Sequence, residues 1–461
     1  MPAAAPSPTT AVIGGGFSGL LTAIHLLERE PRMVVRLVER ASHIGRGRAY
    51  GGQGGEPLLN VRASNMSAFP DRPEHFRDWL AQAPGDGGAD GFVSRRRYGD
   101  YLQSLLRDAL KRPGRPGRLL LEQDEAVAVV PRPGGYQVRM AMGRTFEADA
   151  VVLAVGLGPP APPAGATAAA LASPAFVADP WAADLSTLPD GDILLLGSGL
   201  TMIDVALALA GRGEDRRLTA LSRRGLLPRS HASAEPARLA RGPLNTAGAA
   251  TRTLRRHADQ VGWRGAVDSI RPLTPVIWRE WSLAERRRFL RHLLPWWDVH
   301  RHRMAPAVAA AIGGLQRDGA LEVSAGRLLG LDVREDRLEA LVLPRGARTA
   351  VRRTYRAAVN CTGLTGDLAH SRLLADLADR GLARPDPLGL GLDLDDRFRL
   401  LAADGEVVRG LYAVGPLTRA TRWETLAVPD LRGQTAEVTA TLAVDLGLSA
   451  RGLGEAAWSR A

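Results

Sequence analysis

Thr10-Ala11-Val12-Ile13-Gly14-Gly15-Gly16-Phe17-Ser18-Gly19-Leu20-Leu21-Thr22-Ala23 is the stretch whose reading decides the fold. A short apolar run enters Gly14-x-Gly16-x-x-Gly19, and a helical pattern follows from Ser18 to Glu30. A second apolar run, Val34-Val35-Arg36-Leu37-Val38, ends in Glu39. The order is strand, glycine turn, helix, strand, acid. Gly14 permits the tight turn, Gly16 lets a pyrophosphate approach the backbone, and Gly19 lets the helix pack against the strand. The helix N-terminus offers its free N–H groups to phosphates. Glu39, 20 residues past Gly19, is spaced to accept hydrogen bonds from ribose hydroxyls. Three glycines alone are a common turn, but with both strands, the helix and the acid they specify a dinucleotide site.

The pattern occurs twice. Asp192-Ile193-Leu194-Leu195-Leu196-Gly197-Ser198-Gly199-Leu200-Thr201-Met202-Ile203-Asp204 is again strand, glycine turn, helix. Met202 stands where the third glycine was, so this helix sits further from its strand. The next strand, Arg217 to Leu221, ends in Ser222-Arg223-Arg224 instead of an acid. A carboxylate repels a ribose 2′-phosphate, whereas a guanidinium pairs with it bidentately. The first site therefore suits an unphosphorylated ribose, as in FAD, and the second suits NADPH.

The remainder of the chain supports two such units. Gly45 to Gly52 and Pro57 to Met66 read as an irregular, ordered loop lining the cofactor. Short helices are expected over 73–80 and 98–111, with strands at 119–122, 126–130, 136–140 and 150–154. The last strand runs into Val155-Gly156, an ending repeated at Val359-Asn360-Cys361-Thr362-Gly363. Residues 81–90 and 159–171 read as linkers. From 236 to about 318 the α/β rhythm breaks into helical patterns (247–261, 283–294, 306–317) carrying five of the nine tryptophans, which suggests a helical insertion over a cleft. A strand at Leu411 to Ala413 enters Gly415-Pro416, and a final helix is expected over 431–446. The expected fold is α/β, with two Rossmann-like dinucleotide-binding domains: an FAD domain in two parts, 1–183 and 356–461, and an NADPH domain over 184–355.

Composition excludes several classes. The chain has 461 residues and a net charge of +11, with Lys111 its only lysine. The basic residues are scattered among acids without interleaved aromatics, so nucleic acid is not expected as a partner. No apolar run reaches the length of a membrane span, and Met1 to Pro8 has no secretory pattern. A cytoplasmic protein is therefore expected, and its oligomeric state cannot be read from the sequence. The lone Cys361 rules out an internal disulfide and a redox-active cysteine pair. His300 and His302 have no third ligand nearby in sequence, and no metal site is expected.

On these residues the chain resembles two-dinucleotide-domain flavoproteins, and within them is similar to the N-hydroxylating flavin monooxygenases, including a group that oxidises the amine of aspartate. Asp149, Leu153, Ala154, Gly156 and Pro162 match in register the pattern Asp-x3-Leu/Phe-Ala-Thr-Gly-Tyr-x4-Pro, while Val155 and Leu157 depart from it. The loop Gly45 to Tyr50, the Leu58-Leu59-Asn60-Val61 run, Trp297 to Arg303 and Trp423-Glu424 carry the likeness further. The resemblance implies FAD contacts at Gly14, Gly16, Phe17, Ser18, Gly19, Glu39, Arg48, Asn60, Asn65, Met66 and Val127. It implies more FAD contacts on the later segments, at Gly156, Thr362, Gly363, Gly415 and Pro416, the last replacing the usual acid. NADPH contacts are expected at Gly197, Ser198, Gly199, Leu200, Thr201, Ser222, Arg223 and Arg224. The implied chemistry is borne by the flavin: NADPH reduces it, a C4a-hydroperoxide forms with molecular oxygen, and a small amine or amino acid is N-hydroxylated. Arg301, His302 and Arg303 are candidates to hold an anionic amino acid. Two alternatives stay open, an NADPH-dependent flavin dehydrogenase without oxygen insertion and a non-enzymatic flavin-bound scaffold or redox sensor.

Overall fold

The computed structural model describes residues 7–51, 57–82, 91–111, 117–210, 216–232, 237–239 and 242–448. A parallel strand covered on both faces must be apolar at successive positions, and the first strand, Thr9–Ile13, meets that demand. Val12 faces one core while Ala11 and Ile13 face another. The strand sits centrally in a six-stranded sheet, between Val34–Glu39 and Ala150–Leu153. Leu119–Gln123 extends the sheet on one side; Val407–Ala413 and the antiparallel edge strand Arg399–Leu401 extend it on the other. Helices Phe17–Arg29, Arg95–Lys111 and Val428–Asp445 cover one face. An antiparallel sheet of Ala126–Arg132, Gly135–Met140 and Thr145–Ala148, with helix Arg372–Asp379, covers the other.

The second unit repeats the design. Gly191–Leu196 lies parallel to Arg216–Ser222 on one side and to Ala357–Asn360 on the other, in a seven-stranded sheet. Two strands of this sheet, Phe176–Val177 and Ala357–Asn360, lie outside the 184–355 span read from sequence. Sheet pairing, rather than a break in composition, marks where the second unit begins. The linker expected over 159–171 includes the start of a short helix, Ala168–Ala172. Of the other expected linker, residues 83–90 lie outside the described residues.

The glycine turns close against the ends of neighbouring strands. Gly14 has φ +105°, and a Cβ there would lie 2.4 Å from the Ala154 carbonyl oxygen. Gly197 has φ +112°, and a Cβ there would lie 2.5 Å from the Cys361 carbonyl oxygen. A Cβ on Gly19 would stand 1.8 Å from the Gly14 carbonyl oxygen. Met202, at the matching position, is fully buried in the second unit's core.

The tryptophan-rich insertion is helical. The helix expected to end at Val261 continues as Ala247–Ile270 across a kink at Gly262, where φ is +71°. The pattern 283–294 divides into Leu283–His292 and Leu294–Arg301, with Pro295 in the first turn of the second helix, where no N–H is needed. Trp278 anchors the insertion. Its ring stacks on Trp423 with centroids 4.4 Å apart, and its indole N–H donates to the Ala420 carbonyl at 2.7 Å.

Gly19→Ala should destabilise the protein by about 1–3 kcal/mol or more, because backbone must shift to admit the methyl group. Gly199→Ala should stay within about 0.5 kcal/mol, since a Cβ there meets nothing within 4 Å. Urea denaturation of both variants checks the pair, and equal costs would contradict the packing argument.

Candidate functional site

At the first turn, the helix Phe17–Arg29 starts with Gly16 as its N-cap and has no side-chain cap, leaving the N–H groups of its first turn for a ligand. A Cβ on Gly16 would reach only the Gly47 Cα, at 3.6 Å, so the space above the turn is a cradle that a side chain would fill. Glu39 is fixed beside it: one carboxylate oxygen accepts from the Gly15 N–H at 2.7 Å and the other from the Ala41 N–H at 2.9 Å. Each oxygen keeps a lone pair for a ribose hydroxyl. The Asp124 N–H donates to the Glu39 carbonyl at 3.2 Å, which brings half-buried Val127, at the bulge between Ala126 and Ala128, toward the same end of the sheet. Gly415, at φ +87°, closes on the helix start, where a Cβ would meet the Ser18 hydroxyl at 2.9 Å. No carboxylate follows Gly415; Pro416 opens a short turn instead, and the Gly415 N–H donates to the Gln434 side chain at 2.8 Å. These residues fit an FAD pyrophosphate and ribose.

The second turn has the same opening. The Ser198 hydroxyl donates to the Leu226 carbonyl at 2.6 Å and lies 2.8 Å from the Ser222 hydroxyl, which accepts from the Gly225 N–H at 3.0 Å. That lattice ties the glycine turn to the loop carrying the arginine pair. Arg223 is exposed, and Arg224 is half-buried with its guanidinium 5.8 Å from the Trp296 ring. Neither makes an ion pair among the described residues, so both are free to meet a 2′-phosphate. Leu200 and Thr201 open the helix Leu200–Ala210 directly after the cradle. Gly156 and Gly363, both at positive φ with open space where a Cβ would point, end the paired strands of the two units. The Thr362 hydroxyl and N–H donate to the Asn360 side chain.

Other sequence candidates have structural partners. Met66 is 2% exposed within the apolar core, so packing accounts for it. Asn65 is exposed. The Asn60 carbonyl accepts from His231 Nε2 at 3.0 Å, and Arg48 pairs with Asp179 at 2.9 Å. Phe17 is buried against Tyr98. Arg303, expected to hold a substrate anion, is bidentate to Asp268 at 3.0 Å through both terminal nitrogens and buried. Its fork is filled by the chain itself.

Arg301 and His302 enter a charged cluster where the helix Leu294–Arg301 faces residues 416–430. Arg301 Nε lies 2.6 Å from a Glu424 oxygen, a charge contact not aligned as a hydrogen bond, and its terminal nitrogen is 3.4 Å from Asp430. The Trp297 indole N–H donates to the other Glu424 oxygen at 2.7 Å. Burial pushes the Glu424 carboxyl up, but Arg301, His302 and Trp297 outweigh it and hold it below its usual range. Burial lowers His302 to about 4, so it is neutral at pH 7. Burial raises Asp298 to about 7, against the pull of Arg419. Sequence reasoning singled out Trp423-Glu424 and the Trp297 to Arg303 stretch that holds Asp298, without giving Asp298 a role, and missed Arg419 and Asp430. It also missed Arg95, which joins the two units through an ion pair with Asp204 at 2.9 Å. The isolated charges gave no local signal.

Residues 11–158 match the FAD-NAD(P)-binding family. They form an FAD/NAD(P)-binding domain. The nitrosuccinic acid synthase of Aspergillus oryzae is 28% identical over 244 residues, covering 46% of this chain and 37% of that protein. This chain therefore aligns with well under half of that relative's length. The fold matches an ornithine hydroxylase from Pseudomonas aeruginosa at TM-score 0.67 and 16% identity, over 95% of this chain and 99% of that one. It matches the ornithine N-hydroxylase of Kutzneria sp. 744 at TM-score 0.64 and 17% identity, over 95% and 99%. It also matches the cadaverine monooxygenase of Erwinia amylovora at TM-score 0.65 and 14% identity, over 96% and 94%. No helix among the described residues is long and apolar enough to cross a membrane.

Gly16→Val should give a folded protein that purifies without FAD, read from flavin absorbance per chain beside an unchanged far-ultraviolet spectrum. Arg223→Ala with Arg224→Ala should abolish a preference for NADPH over NADH of about tenfold or more, the worth of one charge-assisted pair. Steady-state kinetics with both nucleotides measure it, and an unchanged preference would remove these arginines from the 2′-phosphate site.

Proposed function

We propose that the protein is an FAD-dependent, NADPH-consuming monooxygenase that N-hydroxylates a small amine or amino acid. The observation that carries this reading is the pairing, in one chain, of two open glycine cradles with opposite ribose chemistry, Glu39 at one and Arg223-Arg224 at the other. The likeness to N-oxygenating enzymes across nearly the whole chain supports it. When bound, FAD would pass electrons from NADPH to dioxygen and deliver one oxygen atom to nitrogen, the other leaving as water. The chain's own part is to hold the phosphates at Gly16 and Gly199 and to fix the ribose ends through Glu39 and the arginine pair. Cys361 supports no competing thiol chemistry: it is buried, it is the only cysteine, and burial pushes its thiol well above the usual range.

FAD-loaded protein screened with amino acids and polyamines should consume NADPH and oxygen together for at least one of them and release an N-hydroxylated product detectable by mass. NADPH oxidation that proceeds without oxygen at the aerobic rate, given another acceptor, would replace this reading with a dehydrogenase. No stimulation by any amine would favour a flavin-bound scaffold.

A further inference from the structure

An arginine that reads a phosphate must be held in place without using up the N–H fork that does the reading. A carboxylate fails this condition. Asp268 holds Arg303 and fills its fork, and Arg48 gives a terminal nitrogen to Asp179. An aromatic face meets it, because the ring attracts the guanidinium's charge and takes none of its five N–H donors. Arg224 is in that position. It makes no ion pair among the described residues, and its guanidinium lies 5.8 Å from the centre of the Trp296 ring.

Both partners are fixed by other contacts. Arg223 and Arg224 lie between Ser222 and Gly225, and the Gly225 N–H donates to the Ser222 hydroxyl at 3.0 Å, which closes the loop. Trp296 stands in the first turn of the helix Leu294–Arg301, which Trp297 and Arg301 tie to Glu424. The chain that follows the arginines is laced to the far end of that helix. The Arg229 N–H donates to the Val299 carbonyl at 2.9 Å, the Met304 N–H to the Arg229 carbonyl at 2.8 Å, and the His231 N–H to the Met304 carbonyl at 2.9 Å. Trp278, Trp281 and Trp297 anchor the insertion through indole N–H bonds to Ala420, Leu244 and Glu424. Trp296 differs from them: it is 43% exposed, so packing does not account for a large ring beside the arginine pair.

We propose that Trp296 is a positioning residue for the choice of nucleotide: its ring seats the Arg224 guanidinium beside the end of the strand Arg216–Ser222, with the N–H fork free for a ribose 2′-phosphate. This rests on the reading of the second glycine turn as the NADPH site. An unseated arginine loses side-chain freedom when it closes on a phosphate, and that loss weakens binding. The ring restricts Arg224 before the nucleotide arrives, so less freedom is lost on binding. Only a nucleotide that carries the 2′-phosphate gains from the seat. The helical insertion, which belongs to neither glycine turn, thereby takes part in selecting NADPH over NADH. Arg223 is exposed and has no such seat; it adds charge to the site without a fixed direction.

The test is calorimetric binding to FAD-loaded protein of NADP⁺ and NAD⁺, which differ only in the 2′-phosphate. The wild type should prefer NADP⁺ about tenfold or more. Trp296→Leu should cut that preference about two- to fivefold, the worth of an exposed cation–π contact, by weakening NADP⁺ and leaving NAD⁺ unchanged. Trp296→Phe, which keeps a ring, should lose less. With Arg224→Gln in place the tryptophan has no guanidinium to seat, so adding Trp296→Leu should change the preference no further. Should Trp296→Leu not fold, Trp296→Gln carries the same comparison. A full preference in the Trp296 variant, an equal weakening of both nucleotides, or an undiminished effect of Trp296→Leu beside Arg224→Gln would overturn the proposal. Equal weakening would make the ring a platform for the adenine instead. No preference in the wild type would overturn the NADPH reading itself, and the proposal with it.

Discussion

Two contacts between a glycine and a neighbouring carbonyl set the geometry on which everything else depends. Gly14 presses on the end of Ala150–Leu153 through the Ala154 carbonyl, and Gly197 on the end of Ala357–Asn360 through the Cys361 carbonyl. Each contact leaves no room for a side chain, so each chain reversal takes place right at the edge of its sheet. The helix that follows must then begin with its N–H groups facing outward over the sheet's carboxyl end. In an open parallel sheet that crevice is where a dinucleotide lies. Glu39 and Arg223-Arg224 stand at the ends of the strands next to these turns, where ribose chemistry is decided.

The helical insertion is held to the first unit by buried polar contacts, and one residue bears strain there. Glu424 is a non-glycine residue at φ +75° and is 5% exposed. Such a backbone costs about 1–3 kcal/mol and persists only where its surroundings over-determine it. They do so here: Trp297 takes one carboxylate oxygen, Arg301 faces the other, and Trp423 beside it stacks on Trp278. The strained turn aims a carboxylate inward, where it engages Arg301 and the Trp297 indole.

Chemistry encoded locally was legible in the sequence, and chemistry assembled over distance was not. The glycine spacing, the acid after one strand and the arginines after the other depend on neighbours within about one βαβ unit, and the structure has each where that spacing put it. The paired strand endings at Gly156 and Gly363 were equally local. Arg303 looked like an anion receptor because sequence displays a charge and hides its partner, Asp268, which is 35 residues away. Trp297 and Glu424 are 127 residues apart, and only the docking of the insertion unites them. The two-residue strand Phe176–Val177 is too short for any periodicity to reveal, although it joins the second sheet. Arg419 belongs to no motif, and Asp298 was visible only as one residue of the Trp297 to Arg303 stretch; the docking of the insertion brings their charges together.

Transfer of an oxygen atom to nitrogen is the central claim, and isotope labelling tests it most directly. The FAD-loaded protein, given NADPH and the amine that best stimulates oxygen consumption, should react under oxygen-18 gas to yield an N-hydroxylated product carrying the heavy isotope on nitrogen. Complete NADPH oxidation with the amine recovered unlabelled and unchanged would contradict the account.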